Sequence, residues 1–132
     1  MLRKLCLVVA VALVVNVGCS NRNGLNNPAF QPQISNQTDN FQLQATNVAN
    51  VTQTLQYAWQ NTGTSANVNQ ATVLTAGAAT LTILDANGQQ VYTNSLTANG
   101  TFQTSTGTAG TWTIRVVLSG VSGTLNFRAQ KP

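Results

Sequence analysis

From residue 40 to residue 132 the sequence predicts an all-β domain, an antiparallel β-sandwich of immunoglobulin-like or jelly-roll type with about seven to eight short strands. Three observations carry that expectation. Apolar residues alternate with polar ones at period two, Gly and Asn clusters break the runs every few residues, and no segment keeps a 3.6-residue period long enough for a helix. An up-and-down barrel is the second architecture the pattern allows, and no repeat of solenoid length is present.

Each element follows from its own alternation. Phe41, Leu43 and Ala45 share one face, with Gln42 and Gln44 on the other. Leu55, Tyr57 and Trp59 repeat the pattern opposite Thr54, Gln56 and Ala58, until Asn61-Thr62-Gly63 breaks it. Val68 and Val73 sit in weaker segments around a second break at Gly77. Leu81 and Ile83 run into Asp85-Ala86-Asn87-Gly88 and Val91 runs out, which spells a hairpin. A short strand around Phe102 follows Asn99-Gly100. Trp112, Ile114, Val116 and Leu118 then face one way, and Thr113 and Arg115 the other. After Ser119-Gly120-Val121-Ser122-Gly123, a last strand carries Leu125, Phe127 and Ala129.

The amino-terminal part is different in kind. Arg3 and Lys4 precede an apolar run from Leu5 to Val15, and Asn16-Val17-Gly18-Cys19-Ser20 follows. Crossing a bilayer takes roughly 20 apolar residues, so this run has the length of a signal-peptide core behind a basic head. A buried core helix would be amphipathic, and this run is apolar all round. At Val17-Gly18-Cys19 the chain resembles the lipobox of bacterial lipoproteins, although the family usually has Leu where this chain has Asn16. The resemblance covers about the first 20 residues. It implies cleavage between Gly18 and Cys19, a diacylglycerol on the Cys19 sulfur and a further acyl chain, such as palmitate, on its amino group. Two or more chains give stable anchoring where one does not. Ser20, rather than Asp, after the cysteine implies export to the outer membrane in a Gram-negative cell.

The expected organisation is therefore a signal helix over residues 1–18, a lipidated cysteine and flexible tether over 19–39, and the sandwich over 40–132. The tether, rich in Asn and Gln and carrying Pro28 and Pro32, lacks the apolar content to fold alone. As a coil of about 20 residues it would span on the order of 25 Å. Phe30 and Ile34 are its exceptions, able to dock onto the domain. Cys6 leaves with the signal and Cys19 is capped, so a bridge between them would cross the cleavage point.

Composition narrows function further. Only 6% of residues are charged, against roughly 25% in ordinary soluble domains, so Thr, Asn, Gln and Ser must wet the surface. The whole chain carries +4; without Arg3 and Lys4 it keeps Arg22, Arg115, Arg128 and Lys131 against Asp39 and Asp85, a formal +2. These cations form no run, which argues against nucleic acid. Arg128 and Lys131 read as solubilising charges near a strand end, with contact to anionic lipid as the weaker alternative.

Catalytic groups are scarce. The chain has no His, and its acidic residues are Asp39 and Asp85, one closing the tether and one starting a turn. A glycosidase pair would need them about 5–10 Å apart, and a Ser–His–Asp relay is excluded, so no catalytic residue is assigned. No cofactor or metal is expected. Asp85-Ala86-Asn87-Gly88 echoes the start of a calcium loop but lacks its spaced carboxylates and closing Glu, and reads better as a turn. The weak ligand-binding candidates are Tyr92, Trp59 and Trp112, which could stack on sugars; the phase of both tryptophans favours the core, whereas Tyr92 is out of phase with Val91. The Asn-Xaa-Thr triplets at Asn36, Asn50 and Asn99 read as chance in an Asn- and Thr-rich chain. The overall expectation is a lipid-anchored envelope protein with a binding or structural head. Its expected partners are membrane lipid through acylated Cys19, and a glycan or an envelope protein. A carbohydrate-binding or adhesion module and a self-assembling envelope subunit are the alternatives, the latter because few lysines guard the strand edges.

Overall fold

The computed structural model of the protein describes residues 30–132. The signal segment, the Gly18–Cys19 cleavage point, Cys19 itself and the tether up to residue 29 lie outside the described residues. The rest is all-β: β1 (Gln33–Gln37), β2 (Asn40–Asn61), β3 (Asn67–Gln70), β4 (Val73–Leu84), β5 (Gln90–Ser95), β6 (Gly100–Gln103) and β7 (Gly110–Gln130), with every pairing antiparallel. The sheet begins at Gln33, ahead of the boundary at residue 40 expected from composition. Ile34 is the one apolar residue of β1, so its order comes from the ladder to β2 rather than from its own burial.

β7 is the spine. One edge of β7 pairs along its length with β2, and the other edge takes β3 and then β4. β6 lies outside β3, and β5 lies outside β4. The segments expected as separate strands around Phe41 and Trp59 are one 22-residue strand, and those around Trp112 and Phe127 are likewise one strand of 21 residues. A straight strand of that length would reach roughly 70 Å. Instead β2 doubles back: the amide of Asp39, just before it, donates to the carbonyl of Gln60 near its end at 2.8 Å.

The bend is made by left-handed residues inside the strands. Asn47 (φ 55°) and Asn50 (φ 50°) interrupt β2, Gly120 (φ 57°) and Gly123 (φ 130°) interrupt β7, and Gly77 (φ 84°) interrupts β4. The register slips at the same level, between Ala45 and Gln53 in β2 and between Leu74 and Ala78 in β4. Each extra residue is a β-bulge that kinks the strand, and a one-residue slip exchanges the two faces. Buried positions accordingly run Phe41, Leu43, Ala45, then shift to Val48, and shift back at Val51. The apolar side thus stays inward around the corner.

Inside the bend lie Phe41, Leu43, Trp59, Trp112, Ile114 and Phe127, all essentially without solvent contact. Each such side chain stabilises the fold by about 1.5–3 kcal/mol. Phe41 meets Phe127 (centroids 5.9 Å) and also Tyr57 of its own strand (5.4 Å), a contact available only because β2 folds back. Phe30 packs against this core, while Ile34 stays exposed.

Candidate functional site

The aromatic candidates divide. Trp59 and Trp112 are fully buried, meet edge to face at 5.9 Å, and donate their indole N–H groups to the carbonyls of Gln37 (3.0 Å) and Thr108 (2.8 Å). They fill the core, the place the phase of their strands favours, and their rings are not exposed at the surface. Tyr92 is half-buried beside Phe102, and its hydroxyl donates to Gln70 Oε1 at 2.7 Å. Gln70 in turn donates to the carbonyls of Ser95 and Ala98, so this ring belongs to a buried polar brace under the β5–β6 connection.

The two carboxylates are likewise engaged within the chain, Asp85 buried and Asp39 at the surface. Asp85, 3% exposed, accepts from the amides of Asn87 and Gln89 at Oδ1 and of Thr108 at Oδ2, each at 2.9 Å. The backbone N–H groups of Gln89 and Thr108, then Asn87, hold its pKa below the usual carboxylate value against some desolvation. Asp85 therefore joins the β4–β5 turn to the segment before β7. Asp39, itself at φ 67°, accepts from the Thr62 amide at 2.7 Å and from its hydroxyl, with Lys131 Nζ 3.6 Å away. The Thr62 amide above all, then its hydroxyl and Lys131, lowers its pKa. The two groups share no hydrogen-bond partner, and neither lies among the residues lining the open depression beside β1. Among the described residues no cluster of His, Cys, Asp or Glu is arranged to hold a metal.

Part of the remaining surface is a face of exposed and half-buried polar side chains. Across the sheet order β1-β2-β7-β3-β6, the register places Ser35, Gln42, Arg128, Asn69 and Thr101 in one row. The next row holds Gln37, Asn40, Gln130, Asn67 and Gln103. Arg128 is the one charged residue in these rows. Its Nη2 donates to Gln42 Oε1 at 3.4 Å, and Asn69 donates to Thr101 Oγ1 at 2.9 Å. An open depression lined by Gln33, Ile34, Ser35, Gln42 and Gln44 takes in the β1 end of the first row and the neighbouring pair of Gln33 with Gln44.

Beyond the bend, the outward row is Gln56, Arg115, Thr82 and Thr93. There Arg115 is half-buried, donating to Gln56 at 3.2 Å, and the neighbours are mostly threonine. Among the described residues neither arginine has a carboxylate partner. Sequence reading missed the Arg128 face because it treated that arginine as an isolated charge. The signal was present in Asn126, Arg128 and Gln130, three polar residues at period two.

No protein-family model and no curated protein matches the chain. Among solved structures, the crystal structure of accessory secretory protein 1, 2 and 3 in Streptococcus pneumoniae contains a similar chain. The two are 10% identical with a TM-score of 0.37, over 76% of this chain and 86% of that one. A likeness of that size identifies neither family nor function.

Proposed function

We propose that this chain is an exported bacterial lipoprotein whose β-sandwich head performs binding or structural work at the cell envelope. The carrying observation is the sequence Arg3-Lys4, the apolar run Leu5 to Val15, and Val17-Gly18-Cys19 directly before an Asn-rich stretch. In this reading the signal is removed, acylated Cys19 holds the protein in the membrane, and Ser20 directs it to the outer membrane of a Gram-negative cell. The two layers of the sandwich are the halves of the doubled-back sheet, a reading supported by the Asp39–Gln60 hydrogen bond and the Phe41–Tyr57 contact. Growth with a labelled fatty acid tests the anchor. Label on the wild type and none on Cys19→Ala is expected. Label retained by Cys19→Ala, or a native mass that begins at Met1 without an acyl adduct, overturns it.

A carbohydrate-binding or adhesion role is the second reading, favoured by the exposed amide and hydroxyl rows around Arg128. Self-assembly through an edge is the third, favoured by β1, whose five residues are all exposed and uncharged.

A further inference from the structure

We infer that the Arg128 face takes an acidic polysaccharide, with a sugar carboxylate on the guanidinium and neighbouring sugar hydroxyls on the flanking amides. The inference rests on the carbohydrate-binding reading and adds the charge and the place of the ligand.

Charge complementarity is the first support. The chain's two acidic side chains, Asp39 and Asp85, are engaged with backbone amides, the Thr62 hydroxyl and Lys131, so no free side-chain carboxylate competes for Arg128. Arginine offers five N–H donors in a planar fork suited to a carboxylate. Among the described residues one long hydrogen bond, to Gln42 at 3.4 Å, occupies that fork. The remaining donors open onto solvent on a strand centred in the sheet.

Shape is the second. Five strands at about 4.8 Å spacing make a row about 19 Å across, and the depression between β1 and β2 adjoins its end at Ser35 and Gln42. The surface is an open track lined by Gln, Asn, Ser and Thr, which both donate to and accept from sugar hydroxyls. It suits a polymer lying across the strands better than a small molecule in a pocket. A nucleic acid would require several phosphate-spaced cations and exposed rings. A lipid surface would require apolar residues among the charges. Of the exposed large hydrophobics, Val73 and Val117 lie outside these rows, and Ile34 alone, paired with the buried Leu43, borders the depression at their β1 end.

Calorimetric titration of the purified full-length protein with polygalacturonate, its methyl ester and polyphosphate tests the inference. Expected is binding of the acid form, with the ester at least about tenfold weaker, the scale of one lost charge-assisted hydrogen bond. Polyphosphate is expected to bind more weakly than the acid polymer. Arg128→Gln should weaken the acid polymer by about tenfold, whereas Arg115→Gln, the same charge removed beyond the bend, should leave it unchanged. Unchanged circular dichroism and thermal midpoint would exclude misfolding as the cause. Equal binding of acid and ester, or full binding by Arg128→Gln, overturns the inference and leaves the carbohydrate reading standing. Tighter binding of polyphosphate overturns it in favour of simple charge attraction. Failure of every sugar polymer removes both.

Discussion

Asp85 and Asp39 make acid the natural probe at the residue scale. Each carboxylate titrates lower in the folded chain than its ordinary 3.8, so each favours folding while ionised. That contribution is complete above the unfolded-state value and is lost as pH falls through the folded-state value. The chain has no His, no Glu and no third Asp to add side-chain titrations in this range. The thermal midpoint should therefore stay level from pH 7 to about pH 5 and drop steeply below about pH 4. Asp85→Asn should lower the midpoint at neutral pH and flatten the acid limb; an acid limb of unchanged steepness would contradict this role. The turn at Asp85-Ala86-Asn87-Gly88 was legible locally, because Asp and Gly occupy the positions a turn requires. Its partner Thr108, 23 residues away, was not.

At the scale of the element, the bulges carry the shape. A Cβ on Gly77 would lie 2.2 Å from the Gly120 carbonyl oxygen, and one on Gly123 would lie 2.3 Å from that of Val73. Both obstacles are backbone, so neither can swing aside. Gly77→Ala is expected to destabilise by more than about 1 kcal/mol in urea unfolding. Asn50 sits in the left-handed region where Asn is tolerated and β-branched residues are not. Asn50→Val should cost about 1–2 kcal/mol, and Asn50→Gly much less; equal losses would show that the side chain, not the backbone angle, matters. These positions explain why strands were legible but their joins were not. A left-handed Gly or Asn between two alternating runs reads locally as a turn. Only pairing with β7, with Thr52 and Ser122 hydroxyls meeting the bulged Gly120 and Asn50 amides, makes it a corner within one strand.

For the whole molecule, period-two alternation specified an antiparallel β chain and its apolar side, and the two tryptophans fell inside as their phase favours. Strand order and register lie beyond local pattern, and the Arg128 row exists only through them: Gln42 and Asn69 flank that arginine from strands far away in sequence. Such non-local pairing also sets the folding rate. Stopped-flow refolding should occupy milliseconds to seconds, the range of all-β domains of this kind; a microsecond phase that completes the core would be inconsistent with β2 and β7 having to meet first. β1 has a further consequence. It starts at Gln33 opposite Gln44, next to the bulge line, and runs toward Asn40, where the β1–β2 turn, Gln60 and Lys131 gather. A leash attached at residue 30 would therefore hold the molecule by its bent shoulder. If the proposed lipid anchor and polysaccharide face both hold, the opposite pole around Lys131 would stand outermost, and the polar rows would form a side wall along which a polymer runs parallel to the membrane.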